Sequence, residues 1–526
     1  METVFPSFLA AVDQLTWLLL PLFTSWIVLG SADTKQTSWP LHSKKPVLFV
    51  WNAPTQECET HEGVKLSLDQ FDIVSSPTQG YTRQNLTFFY KDHLGHYPFY
   101  DAEGVQVIGG VPQSVNLSQH FERVSKDLDT YIPDRQAKGL SVIDWREWHP
   151  LWVRNWSGKD VYRRRSRELV ARKNSTLTQE QVATAAKEEF ELAAREFLQG
   201  TLRQGKNLRP NKLWGFYLFP DCYNYDYKGK MENYTGRCPA VEIERNDQLN
   251  WLWNESTALF PSIYLSSELR STDQARLFVL NRVKEAMRLA SVGDGLARPV
   301  YVYSRPTYNS EMTLLTEKDL VSTIGESVAL GAAGVIFWGG SSYATSSRCS
   351  DLNNYFRGPM GWYLLNVTTA AKECSQKLCK FNGRCLRRAP DSAVFLHLSP
   401  STHKIISQSG KLKVTGSPGQ AELKAFRQHF KCQCYNGTKG ESCDHTTKGT
   451  SLKNASLTLL KSSYQMSNSP ATLLNAEYRT LTRLLNHSCT QTFKHVSILV
   501  WHWMRVVTYK TNLNWQYLCG LCQTNV

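Results

Sequence analysis

The chain has 526 residues, 13 of them cysteine, and carries 60 Lys+Arg against 46 Asp+Glu, a formal charge of +14. That length holds one large domain and something smaller, and the basic balance favours a polyanionic partner. Nucleic acid is excluded as that partner, because no recognition motif accompanies the charge and the run Arg163-Arg164-Arg165 reads as a solvated helix face. The cysteines, together with Asn-x-Ser/Thr sequons such as Asn85, Asn155 and Asn436, point to the secretory route.

Residues 15–30 are mainly apolar and run into Ser31-Ala32, so 1–32 is predicted to be a signal peptide. An uncleaved anchor is the alternative, since Glu2 and Asp13 stand where a basic flank is expected. The run 47–51 is apolar throughout, as a strand buried on both faces requires, and Asn52-Ala53-Pro54 closes it. Tyr97-Pro98-Phe99-Tyr100 and Gly109-Gly110-Val111-Pro112-Gln113 read as loops.

The stretch 140–156, LSVIDWREWHPLWVRNW, starts as an apolar strand and reaches Asp144, with Trp145 and Trp148 close behind it. A strand ending in a carboxylate among tryptophans is how an α/β barrel presents a sugar-cleaving site, because its catalytic groups sit at the carboxyl ends of strands. A core strand running into a polar loop is the plainer reading. Strand side chains alternate, so Asp144 and Arg146 should share one face and Glu147 the other. Glu147 would enter the site only if a bulge shifts the register.

A helix is predicted over 178–198, opened by a Thr178/Gln181 capping box and ended by Gly200. Strand ends recur at 213–222, 260–264, 300–303 and 331–339, separated by helical stretches. That alternation predicts an α/β fold, a TIM-like (β/α) barrel over 40–370. Over 371–445 the spacing Cys374-x4-Cys379-x5-Cys385, a long insertion, and Cys432-x-Cys434-x8-Cys443 predict a structural, disulfide-rich EGF-like module. The tail 446–526 reads as poorly ordered, its apolar run 496–504 too short to span a bilayer, and with Cys489, Cys519 and Cys522 it leaves an odd thiol in the chain's 13 cysteines.

The segment around Asp144 resembles the hyaluronidases, glycosidases that cut hyaluronan and chondroitin. Val142, Ile143, Asp144, Trp145, Trp148, Pro150, Trp152, Asn155 and Trp156 match the family's strand, and the likeness extends over about residues 40–445. Sperm-surface, chondroitin-cleaving mammalian members look most alike. The family's catalytic glutamate lies two residues after the aspartate, where this chain has Arg146; Glu147 follows one place too late.

The resemblance implies an endo-β-N-acetylhexosaminidase that works by substrate assistance. The acetamido oxygen of the substrate attacks C1 and the protein supplies one proton, with no metal or cofactor. Tyr217 and Tyr264 would orient the acetamido group, while Trp145, Tyr97, Arg282 and Trp338 would contact the polymer. The implied disulfides are Cys58–Cys349, Cys222–Cys238, Cys374–Cys385, Cys379–Cys432 and Cys434–Cys443. A guanidinium stays charged and cannot be the proton donor. Two readings stand, beside a duller one of a decayed copy with neither activity: a glycosidase with impaired catalysis, using Glu147 as substitute donor if at all, or a protein that binds hyaluronan or chondroitin without cutting it. Either would be a monomer, secreted or on the cell surface (the sperm surface by resemblance), with association to a membrane left open.

Overall fold

The computed structural model describes residues 34–76, 82–309 and 311–447. The expected leader 1–32 and the tail beyond 447, with Cys489, Cys519 and Cys522, lie outside the described residues.

Seven short parallel strands form the centre: β1 (Leu48–Asn52), β2 (Ile73–Ser75), β3 (Leu86–Phe89), β4 (Gly139–Ile143), β5 (Lys212–Phe216), β6 (Tyr301–Ser304) and β7 (Gly334–Trp338). They make two sheets, in the orders β2-β1-β7-β6 and β3-β4-β5. The register pairs Asn52 with Trp338 and Ile143 with both Phe89 and Phe216. Between β5 and β6 runs the segment 259–263, joined to them only by the isolated bridges Tyr217↔Phe260, Leu259↔Val300 and Ser262↔Tyr303. Pro261 explains the interruption, because it has no N–H to give to a ladder. Gly215 permits the close approach, since a Cβ there would strike the Ala258 carbonyl. Between β2 and β3 a side chain substitutes for a ladder: the Leu86 amide donates to Ser75 Oγ at 3.4 Å. The α/β expectation therefore holds, but no closed barrel forms by continuous ladders among the described residues.

Side-chain alternation divides the core. Leu48, Val50, Leu86, Phe88, Leu140, Val142, Tyr303 and Ile336 pack together on the inner face of the strands. Phe49, Trp51, Phe89, Ile143, Trp214, Val302 and Phe337 face the helices. This parity decides which residues beyond each strand end can reach the site.

The longer helices are α1 (Leu117–Tyr131), α2 (Asp160–Lys173), α3 (Gln179–Leu208), α4 (Asp273–Ala290), α5 (Ser346–Arg357) and α6 (Pro359–Cys379). Thr178 caps α3 in the expected box. Gly200 does not end it: the helix runs on to Leu208, and the missing side chain makes room for the Phe121 ring of α1. On α2 the basic run is a solvated face, with Arg163 paired to Asp160 and Arg165 to Glu168. No helix among the described residues is long and apolar enough to cross a membrane.

The boundary expected between 370 and 371 falls inside α6, which carries Cys374 into the cysteine-rich part without a break. There β8 (Gly383–Arg387) pairs antiparallel with β11 (Phe430–Cys434). The insertion between them folds into the hairpin β9 (His403–Gln408) and β10 (Lys411–Gly416) and the helix α7 (Gln420–His429). Five disulfides form, Cys58–Cys349, Cys222–Cys238, Cys374–Cys385, Cys379–Cys432 and Cys434–Cys443, the pairs that the resemblance implies. Asn155 of the sequon at 155–157 is fully buried, its Oδ1 accepting from the His149 amide and its Nδ2 donating to the His149 and Leu151 carbonyls.

Candidate functional site

Leu140 and Val142 face inward, so Asp144, two places on, emerges at the carboxyl end of β4 on the inner side. Tyr217 follows β5, Tyr264 follows the linking segment, and Trp338 ends β7 on the same side. These residues, with Arg146, Arg282 and Arg305, line one cavity of roughly 620 Å³. Its size suits several sugar rings or a small ligand.

Arg146 turns back over Asp144, Nε lying 2.5 Å from Oδ1, and its guanidinium sits 5.3 Å from the Tyr217 ring centroid. Half of the Arg146 side chain is exposed (53%), whereas that of Asp144 is 3% exposed. Burial pushes the Asp144 carboxyl up to about 6, against the opposing pull of Arg146. Desolvation therefore outweighs the cation, and Asp144 is an anion at neutral pH only by a modest margin. Burial pushes the Tyr217 phenol up to about 12 and Tyr264 well above the ordinary tyrosine range. Both hydroxyls thus remain neutral hydrogen-bond donors.

The Asp144 shift has a consequence for stability. The folded carboxyl holds its proton to about pH 6, whereas an unperturbed one releases it near 3.8. The native state is thus penalised increasingly as pH rises from the lower value through the higher. Asp144→Asn removes a buried charge while leaving Arg146 in contact with water. The variant is expected to be more stable than wild type at neutral pH, by on the order of 2–3 kcal/mol. The gap should close as pH falls below about 3.8. Denaturant midpoints across that range check it; a gap that does not change with pH would contradict the assignment.

Glu147 faces away from the cavity and pairs with Lys91 at 3.2 Å. No bulge brings it round. Trp145 and Tyr97, expected at the substrate, are corrected to core positions, 3% and 1% exposed. Trp145 shares the helix-facing parity of Ile143 and stacks on Tyr97 with ring centroids 4.8 Å apart. Tyr97 also stacks on Trp148 at 5.3 Å, and none of these three rings is part of the cavity lining. Arg282 does reach the cavity, from α4. Its Nε donates to Asn224 Oδ1 (2.8 Å) and its Nη1 to the Ser262 carbonyl (3.0 Å) and Asp221 (3.3 Å). Arg305, absent from the sequence expectations, lies one residue beyond β6. The rule that places chemistry at strand ends could have found it.

A cavity at the carboxyl ends of parallel strands, lined by aromatic rings, neutral phenols and a carboxylate, marks the molecule as an α/β glycan-processing protein. The chain belongs to the hyaluronidase family: the family model for hyaluronidases matches residues 36–447. It is 46% identical to hyaluronidase-2 of Mus musculus over 446 residues, covering 84% of this chain and 93% of that protein. It is 47% identical to hyaluronidase-2 of Homo sapiens over 436 residues, covering 81% of this chain and 91% of that one. The crystal structure of bee venom hyaluronidase is similar to it at 29% identity and a TM-score of 0.51, over 60% of this chain and 99% of that chain. A second structure of the bee venom enzyme, in complex with a hyaluronic acid tetramer, is similar to the same extent in identity and TM-score, 29% and 0.51.

Proposed function

We propose that the cavity is a hyaluronan- or chondroitin-binding groove in which substrate-assisted hydrolysis is impaired because Arg146 occupies the proton donor's position. One observation carries this reading: Arg146 folds onto Asp144 inside the cavity while Glu147 points away to Lys91. Departure of the glycosidic oxygen needs a proton, and a guanidinium is far too weak an acid to give one. The remaining parts suit the family's chemistry. Tyr217 and Tyr264 are neutral donors that can hold an acetamido oxygen, and Trp338 offers a ring face to a sugar. The binding-only reading is favoured by the cations. Arg146, Arg282 and Arg305 line the cavity along with Lys228.

The strands act as a barrel that positions this groove, with the module around Cys379–Cys432 as an EGF-like structural support. The disulfides support passage through an oxidising, secretory compartment, with the protein secreted or held at the cell surface. Calorimetry with hyaluronan oligomers tests the binding. Affinity should fall steeply with added salt, because the ligand is a polyanion and the protein carries a formal charge of +14. No binding at low salt would overturn the reading.

A further inference from the structure

We propose that Arg305 is a specificity-determining residue, one that reads a uronate carboxylate of the bound polysaccharide. The proposal rests on the hyaluronan reading of the groove. The starting point is how the cavity's guanidinium groups are compensated. Arg146 has Asp144 at 2.5 Å, and Arg282 has Asp221 at 3.3 Å. Among the described residues, Arg305 has no carboxylate at ion-pair distance. Its Nη1 makes a long contact, 3.4 Å, to Asn309 Oδ1, and its Nε is buried without a hydrogen-bond partner. A desolvated donor left unpaired is costly, and it is cheaper once an acceptor arrives with the ligand.

The surroundings of Arg305 fix it for that task. Its guanidinium lies 5.6 Å from the Tyr264 ring centroid, 5.4 Å from Trp338 and 5.8 Å from Tyr343. Ring faces hold a guanidinium by cation–π attraction without using its N–H groups. The fork is thus oriented in advance and its donors stay available for a planar oxyanion. Two of these rings, Tyr264 and Trp338, also line the cavity, so an anion meeting Arg305 would sit beside the sugar-binding surfaces. Hyaluronan and chondroitin carry one carboxylate in each disaccharide, on the sugar next to the N-acetylhexosamine. A groove that seats the acetamido group near Tyr217 and Tyr264 must place a carboxylate within a neighbouring subsite, and among the described residues Arg305 is the guanidinium of the cavity lining that has no carboxylate partner of its own.

The test uses the full secreted chain and hyaluronan oligomers in two forms, native and with the glucuronate carboxyls reduced to alcohols. Arg305→Gln should weaken binding of native oligomers by about 10- to 100-fold, the worth of a charge-assisted hydrogen bond. It should change binding of the carboxyl-reduced oligomers little, and Arg305→Lys should recover part of the loss. Equal weakening on both forms would mean that Arg305 only packs the aromatic rings, and would overturn the proposal. So would native binding unchanged in Arg305→Gln. No binding of either form by wild type would instead overturn the reading of the groove, and this proposal with it. Thermal midpoints of both variants separate loss of fold from loss of the contact.

Discussion

Arg146→Glu should convert the protein into a measurable hyaluronidase, raising hydrolysis over wild type by about 10²- to 10⁴-fold, the usual worth of a positioned general acid. Residue 146 shares the inner face with Asp144, so a glutamate there would sit in the cavity beside a carboxyl already pushed up to about 6 by burial. Two carboxyl groups that close cannot both ionise easily, which would raise the pKa of the new glutamate and favour its protonated form. Tyr217, Tyr264 and Trp338 are already in place around it. The assay is release of new reducing ends from hyaluronan and chondroitin, from acid to neutral pH. Glu147→Gln is the control and should change nothing, since Glu147 is paired with Lys91 outside the cavity. If Arg146→Glu also fails to cleave, more of the site than its proton donor has been lost.

The second large effect concerns the frame. Replacing Cys58 and Cys349 together by serine should lower stability by about 4–5 kcal/mol, because the bond closes a loop spanning 291 residues of sequence. Both sulfurs are fully buried, and the bond ties the turn after β1 to α5 after β7, the strands that pair as neighbours. The link therefore reinforces, from outside the sheet, two strands that are already joined by a ladder. Removing Cys434–Cys443, whose separation is 9 residues, should cost clearly less. Urea midpoints of the two double variants make the comparison; an equal or reversed order would contradict the role given to the longer link.

Much of this arrangement is legible in the sequence wherever one local rule decides. The run 47–51 and the strand before Asp144 declare themselves by apolar content, and period-two alternation already separates Arg146 from Glu147. Gly200 misleads because its reason lies in tertiary packing: the Phe121 ring needs the space, and the helix continues. Trp145 and Tyr97 mislead differently. Aromatic residues beside a carboxylate suit a sugar site, yet their parity sends them into the core, and the alternation that places Glu147 outside places Trp145 there too. Arg305 is hidden for a third reason. Nothing local marks it, and its meaning appears only when Tyr264, Trp338 and Tyr343 from three separate segments gather around it. The interrupted ladder at Pro261 belongs to the same class, since the proline is plain in sequence but its strand neighbours are not.

The central claim is that this groove holds the polymer but lacks the proton donor needed to cut it. The most direct measurement is the chain length of hyaluronan after prolonged incubation with purified wild-type protein, over acid and neutral pH, at concentrations where calorimetry shows the polymer bound. The account predicts a bound polymer of unchanged length. Shortened hyaluronan, with cleavage abolished by Glu147→Gln, would contradict it, because Glu147 would then reach the substrate from the face on which the structure does not place it.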